Sequence, residues 1–299
     1  MSAKSPLPYL VFGVSGRTGA AAADALLRAG QPVRVAVRDA AAGLPWAARG
    51  AEVVVADLAD LAAMTRACSG VAGAYVLSPQ QYAREDLFEW ADLLSDICAR
   101  AVVAAGVPAL VALSSVGADR HSETGWIAMN RAYEQRLGAT GIPVVFLRAA
   151  YFMENWAALA GIAASSGTLP SFLAPAGRAI PMVATADVGR AAAALLMENP
   201  RHSSALTLSG PRDYAPIDVA AVIAARIDKP VEVALLPEAA WAGALAQAGF
   251  SEAALAGFSA MTRSLNDGHI SIDSDPAARA RTGTTSLSEL IPGLLKQQP

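Results

Sequence analysis

Short, strongly apolar segments alternate along the chain with longer segments rich in alanine and leucine. Six of the short segments, all rich in β-branched residues, are typical of strands: residues 9–12, 33–37, 52–55, 74–77, 109–113 and 144–147. The intervening segments are long enough for crossover helices, and such alternation predicts a parallel sheet with helices on both faces. Near-continuous apolar strands are expected where both faces of a sheet are buried. We therefore predict an α/β fold with a doubly wound parallel sheet.

The pattern changes after Arg148. Residues 165–181 are rich in glycine, proline and serine, and a helix is predicted to open near Asp187. A further strand is predicted at residues 205–208, and the remainder is mostly helical with one more strand-like run at residues 231–235.

This change predicts two regions. Residues 1–150, with residues 182–211 returning to them, are expected to form the sheet domain. Residues 151–181 and 212–299 are expected to form a smaller, mostly helical C-terminal lobe. In such folds ligands bind in clefts, so the expected ligand site lies between the two regions.

Composition narrows the class of protein. Of the 299 residues, 54% are apolar and 16% are charged, so burial of apolar surface can offset the entropy lost on folding, and a disordered chain is excluded. The net charge of -3, with scattered basic residues, argues against nucleic-acid binding, which needs a concentrated basic face. A small-molecule substrate is the expected partner. The alanine excess is explained by helices such as residues 19–29 and 190–197 packing closely on the sheet, and exposed apolar helix faces make a homodimer plausible.

No segment is predicted to enter or cross a membrane. Charge, glycine or proline interrupts every apolar run well before the roughly 18–20 residues that a membrane helix needs. Residues 1–8 are polar and lack the apolar core of a secretory signal. Cys68 and Cys98 show no metal-binding or redox spacing, so we expect both to be reduced and structural. A cytoplasmic location is therefore expected.

A glycine-rich turn is the strongest local signal of chemistry. The segment Gly13-Val14-Ser15-Gly16-Arg17-Thr18-Gly19 follows the first strand directly and opens the first helix. Such a turn aims free backbone N–H groups and the positive end of a helix at a pyrophosphate, and its glycines allow close approach. The alternative is a plain turn. The strand before the segment, the helix after it and the second strand that follows favour a dinucleotide site. Its predicted contacts are Gly13, Ser15, Gly16, Arg17, Thr18 and Gly19.

The end of the second strand indicates which dinucleotide is bound. An acidic side chain there would bind the ribose of NAD, but here Val37 is followed by Arg38. Arg38, helped by Arg17, can pair with the 2′-phosphate of NADP, so NADP(H) is predicted over NAD(H). The alternative is that both arginines are solvated surface charges.

The end of the third strand is expected near the adenine. Asp57 and Leu58 are predicted to meet its edge. The alternative for Asp57 is an N-cap of the helix that starts near Leu61.

Several motifs together resemble the NmrA-like group of atypical short-chain dehydrogenases/reductases. They are the glycine-rich turn, Val33-Arg34-Val35-Ala36-Val37-Arg38-Asp39, Val55-Ala56-Asp57, Leu77-Ser78-Pro79, Leu113-Ser114-Ser115-Val116-Gly117-Ala118-Asp119, Gly141-Ile142-Pro143, the segment from Leu147 to Asn155, Ala184-Thr185-Ala186-Asp187 and the segment from Leu206 to Pro211. The resemblance covers nearly the whole chain. It is greatest to the quinone-reductase-like and triphenylmethane-reductase-like branches.

The resemblance implies a Rossmann-type domain with the nicotinamide facing the cleft. Ser78 and Pro79 would border the cofactor, Ser114 and Ser115 would lie near the nicotinamide, and Tyr151 with Phe152 would line its far side. The implied substrate-pocket residues are Tyr82, Trp126, Phe152, Asn155 and Trp156. The alternative for the aromatic residues is ordinary packing between the lobes.

The acid/base pair of typical short-chain reductases is missing. They place a tyrosine four residues before a lysine, which lowers the tyrosine pKa so that it can protonate the substrate. The corresponding positions here are Trp126 and Asn130, neither of which can do this. Asn130 could instead bind a cofactor ribose or the substrate.

Other side chains are weaker catalytic candidates. They are Ser114, Asn130, His121 and Tyr82. No GxSxG elbow activates a serine. No histidine or carboxylate spacing suggests a metal.

The missing pair disfavours ketone reduction, because an alkoxide needs a proton donor. A quinone, azo dye or cationic dye is less demanding, since hydride addition gives a delocalised anion or a neutral product. The leading hypothesis is therefore an NADPH-dependent reductase of quinone-like or other conjugated electrophiles. The alternatives are a non-catalytic NADP(H) redox sensor and an isomerase or tailoring reductase that uses the bound cofactor.

Overall fold

The chain forms a large parallel sheet with helices on both faces. A computed structural model describes residues 6–296 except 273, 274 and 276. The strands are β1 (Tyr9–Val11), β2 (Val33–Val37), β3 (Glu52–Val55), β4 (Gly73–Val76), β5 (Leu110–Ser115), β6 (Val144–Ala149), β7 (Tyr151–Phe152), β8 (Thr168–Ser171), β9 (Ile180–Val183), β10 (Ser204–Ser209), β11 (Asp213–Tyr214), β12 (Glu232–Leu235) and β13 (Arg279–Thr282). The helices are α1 (Arg17–Arg28), α2 (Ala40–Ala47), α3 (Leu61–Cys68), α4 (Leu87–Ala105), α5 (Ile127–Gly138), α6 (Ala157–Ser166), α7 (Thr185–Met197), α8 (Pro216–Ile227), α9 (Glu238–Gln247), α10 (Glu252–Asp267) and α11 (Leu287–Lys296). Met153–Trp156 is a short 3-10 helix.

The main sheet confirms the predicted doubly wound α/β fold. Its strand order is β13-β10-β6-β5-β4-β1-β2-β3, and each pair of neighbouring strands in this order is parallel. All six predicted strands are present within one or two residues of their expected bounds. The central strands are buried, whereas β3 at the sheet edge is half-exposed, because only one neighbour covers it.

Two apolar cores cover the two faces of the sheet. Val11 packs into one core with α1 and α7, while its neighbours Leu10 and Phe12 pack into the other with α3 and α4. Alternate residues of a strand point to opposite faces, which accounts for this division.

Small residues let α1 and α7 pack closely against each other, whereas the prediction for these alanine-rich helices concerned their packing on the sheet. A Cβ added at Gly189 of α7 would lie 2.4 Å from the Ala21 Cβ and 2.6 Å from the Ala22 nitrogen. Because real Cβ atoms do not approach so closely, the two helices touch along their backbones at this point.

A second, smaller layer of structure lies beyond β6. It has a three-stranded sheet, β11-β9-β7, and a pair, β12-β8. Its core draws on α6, α8 and α11 and is centred on the fully buried Trp156. Two of its strands, β8 and β9, lie in or enter the stretch of residues 165–181, for which the sequence predicted no strand.

The main sheet also gains a strand that the sequence did not predict. Residues 279–282, which form β13, pair in parallel with β10. This strand lies within the stretch assigned to the C-terminal lobe. Its sequence, Arg-Ala-Arg-Thr, lacks an apolar pattern because it is an exposed edge strand.

No helix in the part of the chain that the structure describes combines the length and the hydrophobicity needed to span a membrane.

Both cysteines are unpaired and buried in the core between the sheet, α3 and α4. Burial raises the pKa of Cys68 to about 12 and that of Cys98 to about 11, and the Cys98 Sγ lies 3.4 Å from the Tyr133 hydroxyl. Because the thiolate is the reactive form, these thiols are held in an unreactive state.

We therefore expect neither thiol to react with a disulfide reagent at pH 8 while the protein is folded. A pKa three units above the pH leaves about one thiolate in a thousand, and burial hinders access further. The measurement is a thiol titration with and without denaturant. Two thiols should appear only after unfolding, and rapid labelling of the folded protein would contradict the structural role.

Candidate active site

The glycine-rich turn between β1 and α1 is shaped by close backbone contacts. Gly13 has φ +70°, and a Cβ there would lie 2.7 Å from the Leu77 Cδ2. A Cβ at Gly19 would lie 2.3 Å from the Gly13 carbonyl oxygen and 2.6 Å from that of Phe12. At Gly13 the left-handed backbone conformation requires glycine, and at Gly19 any side chain would require a backbone shift.

The first turn of α1 is open to an anion. Gly16 is the N-cap, and no side chain in the described chain accepts a hydrogen bond from the helix there. The Gly16 N–H donates to the Gly13 carbonyl at 2.9 Å, and the first intrahelical bond is from the Ala20 N–H to the Gly16 carbonyl. The backbone amides between them, in the first turn of α1, have no acceptor within the helix. Thr18 is buried, whereas Ser15 and Arg17 are exposed beside these amides. Unpaired amides at the positive end of a helix make an anion site.

Arg38 is a free cation at the carboxyl end of β2. Its side chain is exposed and makes no hydrogen bond or ion pair with any residue that the structure describes, and the same holds for Arg17. The next residue, Asp39, is already used, because its carboxylate caps α2 by accepting from the Ala41 N–H at 2.9 Å. The arginine is therefore available to a ligand, while the neighbouring acid is held in the helix cap.

Asp57 and Leu58 lie where β3 ends, and Asp57 is exposed. The alternative prediction that Asp57 caps α3 is wrong. Asp57 accepts from the Ala59 N–H in a tight turn, and Asp60 caps α3 by accepting from the Ala63 N–H at 3.0 Å. The helix begins at Leu61, as predicted, and the residue directly before it is the N-cap.

Ser78 and Pro79 follow β4 directly. The Ser78 hydroxyl oxygen is buried and has no partner among the described residues. It borders a small internal cavity beside Leu58, Leu77 and Cys98. Leu58 and Ser78, predicted separately from the ends of β3 and β4, therefore lie around one space.

Ser114, at the end of β5, belongs to a buried ionic network. Its hydroxyl donates to Glu134 Oε1 at 2.6 Å. Arg148 donates to both oxygens of Glu134, at 2.8 Å and 2.6 Å, and to Asp275 at 2.7 Å. The hydrogen bonds to Glu134 raise the pKa of the Arg148 guanidinium, so its charge is fixed. These contacts occupy Ser114 in tying β5, α5 and β6 together.

An apolar cavity opens where the second layer meets the carboxyl ends of β5 and β6. It is partly open to solvent, and the space between its walls is about 430 Å³ when the solvent at its mouth is included. It is lined by Ser115, Val116, Ile127, Ala149, Ala150, Tyr151, Ile180, Pro181, Met261, Leu265, Ile270, Ser271 and Ile272. Of the predicted site residues, Ser115 and Tyr151 meet here.

Three neighbours of Tyr151 lie outside this lining. Phe152 packs against the sheet core, and Trp156 is fully buried in the core of the second layer. Asn155 is exposed, and a side-chain hydrogen bond joins it to Tyr151. These positions favour the packing alternative for Phe152 and Trp156.

Tyr82 and Trp126 belong to an aromatic cluster between the two layers. Their rings stack with centroids 4.2 Å apart, and Phe250 and Phe258 pack on the edges of Trp126. A Cβ at Gly257 of α10 would lie 2.3 Å from the Trp126 Cδ1, so α10 closes over the indole. Trp126, which stands where typical short-chain reductases have their catalytic tyrosine, is thus enclosed by packed aromatic rings and α10.

The remaining catalytic candidates are scattered. Asn130 lies on α5, half-buried. His121 is exposed, and its Nδ1 faces the Arg131 guanidinium at 2.7 Å, so it accepts a hydrogen bond there. Among the described residues no three histidine, cysteine or acidic side chains are grouped as a metal site requires.

Sequence reasoning missed the far wall of the cavity. Met261 and Leu265 of α10, with Ile270 and Ile272 just after it, carry no polar group that a motif search could find. The spacing of four between Met261 and Leu265 was the available signal, because such residues share one helix face.

Comparisons with known proteins agree with the fold. The NmrA-like family model matches residues 9–282. An NAD(P)H azoreductase from Xenophilus azovorans is 27% identical over 226 residues, which are 74% of each chain. An NADPH-dependent quinone oxidoreductase from Escherichia coli, solved in complex with NADPH, has a TM-score of 0.80 and 26% identity and covers 96% of this chain and 99% of its own. Triphenylmethane reductase from Citrobacter sp., at 20% identity, shares the fold with a TM-score of 0.80 over 97% of this chain and 100% of its own.

Proposed function

Because the chain belongs to the NmrA-like family, we propose that it is an NADPH-dependent reductase that transfers hydride to a quinone-like or other conjugated small molecule. One observation carries this proposal. The free Arg38, the uncapped start of α1, Ser78 and the apolar cavity follow the ends of β2, β1, β4 and β5 in spatial order along one sheet edge. With β6 included, four strand spacings of roughly 4.8 Å give about 19 Å, room for an elongated dinucleotide.

The residues on this edge suit NADPH. Gly13, Gly16 and Gly19 allow its pyrophosphate close to the open amides of α1, and the Arg38 guanidinium suits its 2′-phosphate. The related quinone oxidoreductase was solved in complex with NADPH, which supports the same choice. When bound, NADPH supplies the hydride, and the protein supplies position and surroundings.

We further propose that reduction proceeds without a tyrosine and lysine pair. Lysine occurs only at positions 4, 229 and 296, so α5 contains none. The tyrosine of α5, Tyr133, is fully buried against Cys98 in the core. A quinone-like acceptor suits such a site, because its reduced form spreads negative charge over several atoms and takes its proton from water after release.

The second layer is proposed to act as the substrate lobe. Ile180 of its strand β9 lines the cavity together with Ser115, as do Met261 and Leu265 of α10. An apolar wall excludes water from the reacting atoms and holds a flat apolar substrate by contact. The related azoreductase and quinone oxidoreductase support conjugated acceptors as the class.

The test is NADPH oxidation by the purified protein over a panel of quinones, azo dyes and enones. At least one acceptor should give saturable oxidation well above the rate in buffer. Tight binding of NADPH with no acceleration for any of them would overturn the reductase proposal and favour the redox-sensor alternative.

A further inference from the structure

Charge is missing from the cavity wall. Among the described lining residues the only side chains with hydrogen-bonding groups are Ser115, Tyr151 and Ser271, and none is ionised at neutral pH. On the β6 side, Arg148 directly precedes the lining residue Ala149 and is already paired with Glu134 and Asp275. A charged ligand group in this cavity would lose water without gaining a counter-charge, which is costly.

Tyr151 offers a ligand a hydrogen-bond donor in this cavity. The Ser115 hydroxyl donates to the Val116 carbonyl oxygen at 3.0 Å, so its hydrogen is already used. Tyr151 lines the cavity from β7, immediately beyond the end of β6. Burial raises the pKa of Tyr151 to about 12, while a hydrogen bond from Asn155 lowers it by less. The phenol therefore keeps its proton at neutral pH and can donate it in a hydrogen bond.

We propose that the cavity selects neutral carbonyl acceptors, such as unsubstituted quinones, over charged dyes, and that the Tyr151 hydroxyl donates a hydrogen bond to the carbonyl oxygen. This inference rests on the proposed reductase function. It names the substrate class and one residue that contacts it.

The role of Tyr151 follows from the charge that reduction creates. The quinone gains a hydride from the reduced nicotinamide and becomes a hydroquinone monoanion, while the cofactor becomes oxidised. Negative charge grows on the carbonyl oxygen, and an O–H donor on an apolar wall stabilises it. The monoanion takes its proton from water after release, so Tyr151 is not consumed.

Binding tests the selectivity independently of turnover. The probes are naphthoquinone and naphthoquinone sulfonate, titrated into protein saturated with tetrahydro-NADP, a reduced analogue that cannot give hydride. The sulfonate should bind at least about tenfold more weakly, because its charge finds no partner in the cavity. Equal affinity for the two would overturn the selection of neutral acceptors.

Tyr151→Phe tests the hydrogen bond. It should weaken naphthoquinone binding to the analogue complex by about three- to tenfold and lower kcat by about tenfold or more, with an unchanged Kd for NADPH. Tyr214→Phe is the matched control, because Tyr214 is a buried tyrosine in the same three-stranded sheet on β11, outside the cavity lining. It should leave both values unchanged.

Three results distinguish a failure of the Tyr151 proposal from a failure of the reductase proposal. Wild-type turnover of naphthoquinone that Tyr151→Phe leaves intact would overturn the role of Tyr151 while the reductase function stands. A parallel Ser271→Ala variant that alone reproduced the losses would also overturn it, by assigning the hydrogen bond to Ser271. Wild-type protein that binds naphthoquinone but reduces no acceptor of the panel would overturn the reductase function, while the binding titrations would still test the contact to Tyr151.

Discussion

Replacing Arg38 by alanine is expected to raise the Kd for NADPH by about 10- to 100-fold and to change the Kd for NADH by less than about threefold. Hydrogen bonds to charged groups contribute about 1.5–3 kcal/mol, and each 1.4 kcal/mol is a factor of about ten. NADH lacks the 2′-phosphate, so it loses nothing specific. The measurement is titration of both reduced cofactors at low salt, where charge pairing is least screened.

Arg201→Ala is the matched control for this prediction. Arg201 is exposed shortly before β10 begins. In the sheet β10 lies four strands away from β1 and five from β2, whose carboxyl end carries Arg38. It should leave both affinities unchanged. Equal losses of NADPH and NADH in Arg38→Ala would mean that Arg38 does not bind the 2′-phosphate.

Replacing Arg148 by methionine is expected to lower the free energy of unfolding by about 3–5 kcal/mol, since it leaves a buried carboxylate without its cation. Arg148 and Glu134 are both buried and joined by two hydrogen bonds. The variant should also lose activity, because Ala149, Ala150 and Tyr151 of the cavity follow directly. Denaturant unfolding measures the stability.

Two further variants make this result specific. Arg136→Met removes an exposed pair with Asp92 and should cost less than about 1 kcal/mol. The double variant Glu134→Leu with Arg148→Met should recover part of the loss, because no charge is then left buried alone. A cost for Arg148→Met no larger than that for Arg136→Met would show that the network does not stabilise the fold.

The sheet was predictable because burial on both faces leaves a strong pattern. The strands from β1 to β6 are apolar runs separated by segments long enough for crossover helices. The strand β13 was missed because an exposed edge strand needs no apolar face. The strands β8 and β9 were missed because glycine, proline and serine around them suggest loops.

Some features of the candidate site could also be predicted from the sequence, and others could not. The turn from Gly13 to Gly19 was predictable because close backbone contact requires glycine at fixed spacing, and Arg38 because it follows a strand end. The buried network of Ser114, Glu134 and Arg148 was not, since it joins residues far apart in sequence. The packing of Trp126 against Gly257 likewise depends on a contact between α10 and the residue before α5, which are far apart in sequence.

Hydride transfer from bound NADPH to a quinone is most directly measured in a single turnover. Protein holding NADPH with deuterium on one face or the other of nicotinamide C4 is mixed with excess naphthoquinone, and loss of the reduced cofactor is followed by absorbance. We expect rapid oxidation that is slowed by deuterium on one face only, because the site holds the cofactor in one orientation. Bound NADPH that stays reduced, or oxidation equally insensitive to deuterium on both faces, would contradict enzymatic hydride transfer.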